Sequence, residues 1–155
     1  MAEPGDADCG GAADRDGVIS IETLTEVGPE IEAAILAPLI AYNEGVAGPA
    51  HYAPLAVLLR DEAGVVAGGL WAEAYYDWCF VRLLVVPEAV RGQGLGRRLM
   101  GKVEDFARGR RDAGIWLDTF SFQARGFYER LGFSCFGELP GHPRGGARYF
   151  MQKQL

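Results

Sequence analysis

The sequence predicts a single α/β domain, and three observations carry that prediction. The apolar runs Pro54 to Arg60 and Val65 to Tyr75 flank Asp61-Glu62-Ala63-Gly64, a turn-forming tetrapeptide, and together they read as a hairpin. Another strand-like run, from about Trp78 to Val86, enters a glycine-rich turn, after which Leu95, Leu99, Val103 and Phe106 fall on one helical face. A short helical segment and two further strand-like runs then close the chain. A chain of 155 residues fits one domain, and a domain of that size buries roughly 70% of the surface its unfolded chain exposes.

Taken in order, Met1 to Gly17 is rich in Ala, Gly and Asp, has little to bury, and is expected to be a flexible tail. The domain is expected to occupy residues 18 to 155, beginning with a weakly alternating strand at Val18 to Ile21. Pro29 suits a first helical turn, and Ile31, Ile35 and Leu39 follow at helical spacing. Pro38 is expected to split that segment, leaving a second short helix from Ile40 to Glu44. The helix after the glycine-rich turn directs Arg98, Lys102, Asp105 and Arg108 outward and is expected to end near Gly114. Ile115 to Phe120 reads as a short buried strand. Ser121 is placed to cap a helix whose Phe127 and Leu131 face inward and which Gly132 ends, with strands at Phe133 to Glu138 and Arg148 to Gln154.

Composition excludes several function classes. Fifteen Lys and Arg against 21 Asp and Glu leave a net charge of −6, which argues against nucleic-acid binding and is compatible with cationic acceptors. No apolar run approaches a membrane span, and the first residues lack the basic and apolar regions of a signal peptide, so a cytoplasmic protein is expected. Cys9, Cys79 and Cys135 are widely spaced and only His51 and His142 could join them, which gives neither a disulfide framework nor a zinc pattern. No metal is expected.

The most informative segment is Arg91-Gly92-Gln93-Gly94-Leu95-Gly96, placed between a strand and a helix. Glycines let the backbone approach an anion without Cβ interference, and the first amides of a helix have no intrahelical acceptor. The helix dipole adds roughly 0.3–1 kcal/mol for a phosphate there. Gly96 to Lys102 also reads G-x-x-x-x-G-K, but Val103 stands where a magnesium-binding Ser or Thr belongs and the residues lie within the amphipathic helix. The alternating glycines likewise differ from the G-x-G-x-x-G of dinucleotide folds.

With this motif the chain resembles the GNAT superfamily of acyl-CoA N-acyltransferases, whose Gln/Arg-x-x-Gly-x-Gly/Ala pattern Arg91 to Gly96 matches. Leu83-Leu84-Val85-Val86-Pro87 looks like that family's splayed fourth strand, and Phe127-Tyr128-Glu129-Arg130-Leu131-Gly132-Phe133 is similar to its second signature. The resemblance implies a central, mixed but mostly antiparallel sheet of six to seven strands flanked by helices, with a splayed strand pair as the acyl-CoA cleft. It implies acetyl-CoA as cosubstrate, an amine acceptor and direct attack in a ternary complex, in a monomer or homodimer. The backbone of Leu83, Leu84, Val85 and Val86 would pair with pantetheine. Arg91, Gly92, Gln93, Gly94, Leu95, Gly96 and Arg97 would hold the pyrophosphate.

Ser121 stands where the family often has an Asn that contacts coenzyme A, and Gln123 is placed to replace that contact. Tyr128 matches the general acid. The general base is left open between Asp118, Glu73 and ordered water. The loop around His142 and Tyr42, Asn43 and Glu44 after the Pro38 break are placed where they could overhang an acceptor pocket, and Tyr75 to Trp78 suit an amine acceptor or hairpin packing equally. The other class compatible with the sequence is an acyl-CoA-binding sensor without efficient transfer.

Overall fold

The structure, a computed structural model, describes residues 14–16 and 19–155. Most of the segment expected to be a tail therefore lies outside the described residues. The chain divides into two compact units, one ending at Gly48 and the other spanning Pro49–Leu155. The division falls well beyond the expected domain start near Val18.

In the first unit β1 (Asp14–Asp16) pairs antiparallel with β2 (Ile19–Ile21), Asp14 facing Ile21 and Asp16 facing Ile19. Strand structure thus begins before Val18. Pro29 opens α1 (Pro29–Ala47) as its spacing predicts, and Glu30 and Glu32 in the first turn complement the helix dipole. Pro38 does not split the segment: α1 runs through it as one helix of 19 residues. A proline removes only the one bond its own N–H would donate, and a helix this long retains bonded turns on both sides.

The second unit is built on a six-stranded sheet in the order β3-β4-β5-β6-β8-β7. Its strands are β3 (Ala53–Arg60), β4 (Val66–Tyr75), β5 (Trp78–Val85), β6 (Gly114–Phe120), β7 (Ser134–Pro140) and β8 (Ala147–Gln154). Every neighbouring pair is antiparallel except β5 with β6. At the β3–β4 hairpin Asp61 Oδ1 accepts from the Val65 amide at 2.8 Å, the turn chemistry expected of Asp61 to Gly64. The crossover between β5 and β6 carries one 3-10 turn (Glu88–Val90) and α2 (Leu95–Arg110).

Helix α2 lies across β3 to β6 and buries Leu99, Met100, Val103 and Ala107 against Leu70, Ala72, Ala74, Val81, Ile115 and Leu117. Fully burying one Leu- or Ile-sized side chain contributes about 1.5–3 kcal/mol. Phe127, on the short α3 (Arg125–Glu129), packs on the same cluster. Both helices therefore cover one face of the sheet. Strand alternation sends Trp71, Glu73, Phe80, Trp116, Asp118, Phe120 and Phe150 to the other face.

Two expected helix boundaries differ. α2 ends at Arg110, where Arg111 adopts φ 66° and the Asp112 amide donates back to Ala107 O at 2.9 Å. Gly114 belongs instead to β6, where an added Cβ would stand 2.6 Å from the Trp78 ring. Ser121 does not cap α3, which begins at Arg125 with no side-chain cap.

Candidate active site

The cleft begins where β5 leaves β6. Parallel pairing runs from Trp78 opposite Gly114 to Val81 opposite Leu117 and stops, although β5 continues to Val85 and β6 to Phe120. A β-bulge lies at the point of departure: Ala72 of β4 faces Val81, but its neighbour Trp71 faces Leu83, so Arg82 is an inserted residue. A bulge bends its strand and shifts the side-chain phase by one. Burial follows that shift, with Cys79 and Val81 in the core before it and Leu84 and Val86 packed on the core after it. Leu83 and Val85 face outward. The β6-facing edge of Leu83 to Val85 is left without a strand partner.

The glycine-rich turn follows directly. Gly92 and Gly94 both take φ 79°, and a Cβ at either would meet nothing within 4 Å. Gly94 is the N-cap of α2, which carries no side-chain cap, and the first helical bond runs from the Arg98 amide to Gly94 O at 3.1 Å. The Leu95, Gly96 and Arg97 amides precede that bond and have no intrahelical acceptor. Arg91 donates from Nε to Val86 O at 3.1 Å and fastens the turn to the end of β5. Gly96 answers to packing, since a Cβ there would stand 3.1 Å from the Phe127 ring.

Ser121 and Gln123 are occupied within the fold. Ser121 Oγ accepts from the Ala147 amide at 3.1 Å, and the Ser121 amide donates to Ala147 O at 2.8 Å, which clips the end of β6 to the start of β8. Gln123 Oε1 accepts from the Phe120 amide at 2.8 Å and from Thr119 Oγ1 at 3.2 Å. Its carboxamide oxygen is therefore engaged. Ser121→Ala is expected to destabilise the chain by about 1 kcal/mol through loss of that clip and to leave acetyl-CoA affinity unchanged. Thermal melting paired with calorimetry checks both halves.

Tyr128 is 8% exposed, with its ring edge-on to Phe127 at 5.0 Å and to Phe133 at 6.0 Å. Burial, with a smaller contribution from the Asp118 carboxylate, pushes its phenol up to about 12. Asp118 is the first β6 residue beyond the last position paired with β5 and lies on the sheet face opposite α2 and α3. Its Oδ1 accepts from Arg148 Nε at 2.7 Å. Glu73, two strands from β6, accepts at Oε1 from Arg82 Nη1 at 2.8 Å and from Trp71 Nε1 at 3.1 Å. Burial would raise the Glu73 pKa, but those hydrogen bonds and the Arg82 charge outweigh it and hold the carboxyl below its usual value.

The candidate acceptor segments belong to different elements. Tyr42, Asn43 and Glu44 lie inside α1 and not after a helix break. Tyr75 to Trp78 form the β4–β5 turn, at the end of β5 opposite the cleft. The β7–β8 turn does reach the cleft end of β6, with His142 5.4 Å from the Phe120 ring. No group of three His, Cys, Asp or Glu among the described residues could hold a metal ion. Nor is any described helix long and apolar enough to cross a membrane.

Comparison with known proteins decides the family. Residues 23–133 match the acetyltransferase (GNAT) family profile. The chain belongs to the GNAT acetyltransferases. It is 40% identical over 110 residues to acetyltransferase Atu2258 of Agrobacterium fabrum, covering 71% of this chain and 80% of that protein. Over 97 residues it is 38% identical to the blasticidin-S acetyltransferase of Streptomyces morookaense, covering 61% of this chain and 70% of that protein. A solved acetyltransferase from Bacillus cereus superposes with a TM-score of 0.75 at 27% identity, covering 86% of this chain and 98% of that one.

In this GNAT acetyltransferase the sequence reading missed Arg82 and Trp71. No local signal marked them: Leu83 to Val86 is apolar on both phases, so the sequence is as compatible with a regular strand as with a bulged one.

Proposed function

We propose that this acetyltransferase moves an acetyl group from acetyl-CoA to a primary amine of a small molecule, by direct attack within a ternary complex. One observation carries the reading: the unpaired edge of β5 and the uncapped N-terminus of α2 are joined by a turn with open space at Gly92 and Gly94. A linear amide-bearing arm ending in a pyrophosphate matches those donors and acceptors in that order. The residues therefore fit acetyl-CoA. The backbone of Leu83 to Val86 pairs with the arm, and the amides between Gly92 and Arg97 take the pyrophosphate, with Arg91 and Arg97 as nearby cations. Gln123 retains its NH2 end for the cosubstrate, whereas Ser121 serves the fold. Residues 18–155 act as one catalytic domain, consistent with a family match that runs through the boundary at Gly48.

Acetyl-CoA supplies an activated thioester. The chain's part is to orient it, donate toward the leaving sulfur from Tyr128, and let the amine lose its proton. A lysine-like amine has a pKa of ~10.4 and must deprotonate before attack. Asp118 and Glu73 are both committed to arginines, which favours ordered water as the proton's route. The likeness to a blasticidin-S acetyltransferase supports a small-molecule acceptor.

The test is a panel of amino-nucleosides, aminosugars, polyamines and lysyl peptides, scored by release of coenzyme A thiol. Turnover confined to one or more of the small amines is expected. Turnover of lysyl peptides alone would overturn the small-molecule assignment, and bound acetyl-CoA with no thiol release from any amine would overturn amine transfer.

A further inference from the structure

Pairing of the pantetheine arm with Leu83 to Val86, and of the pyrophosphate with the turn after them, would bring acetyl-CoA in along the free end of β5 and its thioester to the vertex at Val81 and Leu117. The acceptor must reach that point by another route. Because α2 and α3 pack on one face of the sheet, the opposite face of this unit is the one left for it. Asp118 is the first residue past the vertex on that face. After burial itself, its carboxylate is the second cause of the raised Tyr128 phenol, so it acts on the group proposed to meet the leaving sulfur.

A cavity of about 420 Å³ opens beside Asp118, lined by Trp78, Trp116, Phe136, Phe150 and Gln152. Strand register makes the two neighbours. Phe150 faces Asp118 across the β6–β8 pair, Gln152 faces Trp116, and Trp116 lies two residues before Asp118 on the same face, a step of about 7 Å along a strand. The carboxylate therefore stands at the cavity's edge. Trp116 stacks on Phe80 at 4.0 Å, the Phe136 ring lies 6.3 Å from Phe150, and a Cβ at Gly114 would stand 2.6 Å from the Trp78 ring, so that glycine lets the ring cross the start of β6. From Asp118 the cavity runs toward Trp78, away from the end of β5 along which acetyl-CoA would enter.

An apolar hollow of this size with few polar groups is of the kind that holds a small organic ligand, and four aromatic rings suit a flat apolar group. The carboxylate suits an N–H donor. Alone it would hold a bound amine in the ammonium form, but Arg148 Nε donates to Oδ1 at 2.7 Å, which offsets that charge and leaves Oδ2 for a ligand. We propose that Asp118 and this cavity form the acceptor subsite, and that the acceptor is a primary amine joined by a short spacer to a flat apolar ring. Asp118 Oδ2 accepts from the amine at the vertex while the ring lies among Trp116, Phe136 and Phe150. The inference rests on the proposed amine transfer and adds the class of amine. Asp118 contacts the acceptor and is not its base.

The experiment uses the full chain with saturating acetyl-CoA and two amines, phenethylamine and its ring-free counterpart propylamine. In the parent, kcat/KM is expected to be about 10-fold or more higher for phenethylamine. Phe136 is exposed, so its truncation spares the core. Phe136→Ala is expected to raise the phenethylamine KM about 5-fold with kcat within about twofold, and to cut the preference between the amines by the same factor. Asp118→Asn is expected to raise KM for both amines about 5-fold and to keep the preference, whereas loss of a base would lower kcat.

A parent kcat/KM no higher for phenethylamine than for propylamine overturns the proposal. So does an unchanged phenethylamine KM in Phe136→Ala; a lower melting temperature alongside it would mark the groove as a surface packed by protein. Tryptophan fluorescence, read while phenethylamine is titrated onto the chain loaded with coenzyme A, reports on Trp78 and Trp116 without any turnover. A saturable change that weakens in Phe136→Ala is expected, and no saturable change overturns the subsite. Absence of turnover with every amine would count against the proposed function, while the titration would still decide the cavity.

Discussion

Gly94→Val is expected to remove acetyl-CoA binding, with at least a 100-fold rise in dissociation constant, in a chain that still folds. The effect combines two losses. A β-branched residue resists the left-handed φ of 79° that places the Gly94 backbone at the head of α2. Its side chain also enters the open space beside the turn, where no atom beyond the flanking residues lies within 4 Å of the Cβ position. The stability cost is that of one left-handed residue, about 1–2 kcal/mol. Gly96→Val gives the contrasting result: its Cβ meets the Phe127 ring at 3.1 Å, so the seating of α2 on α3 is disturbed first and melting temperature falls with affinity. Calorimetry and thermal melting on both variants check the pair. Parental affinity in folded Gly94→Val would overturn the pyrophosphate assignment.

Tyr128→Phe is expected to slow turnover by about 100-fold while leaving acetyl-CoA affinity within a factor of about two, the lower end of the range for an acid–base group. Burial sets the lower figure. With its phenol pushed up to about 12, Tyr128 lies roughly 3.5 units above a free thiol, a gap of about 5 kcal/mol against full proton transfer to a departing thiolate. As the proposed donor, Tyr128 would act through a hydrogen bond to sulfur as charge develops there, with the proton arriving later from solvent. The same shift fixes a pH expectation. A phenol whose folded-state pKa is raised stays protonated until the pH nears that value, so an alkaline fall in rate at pH 8 to 10 cannot come from Tyr128 ionisation. Pre-steady-state and steady-state rates across that range, for parent and Phe variant, check both statements. A Phe variant as fast as the parent at saturation would remove Tyr128 from the chemistry.

Much of the site was legible because its elements answer to local rules. The Asp61 turn, the apolar face of α2 and the glycines ahead of it all express preferences that act within a few residues. Helix α1 shows where local rules mislead: Pro38 reads as a break, but the structure carries it inside 19 helical residues. Ser121 reads as a cap or a cosubstrate contact, and its hydroxyl instead holds Ala147, 26 residues away in sequence. That partner is invisible until the strands are assembled.

The residues alone determined that a pyrophosphate-suited turn separates a strand from an amphipathic helix, and with the second motif that was enough to reach the family. Tertiary structure decided which face each apolar residue of β5 takes and where that strand parts from β6. The reason is the near-degeneracy of Leu83 to Val86, where either phase buries one Leu and one Val. The bulge at Arg82 sets the phase observed, and contacts within the β4–β5 pair join Glu73 to Arg82 and Trp71.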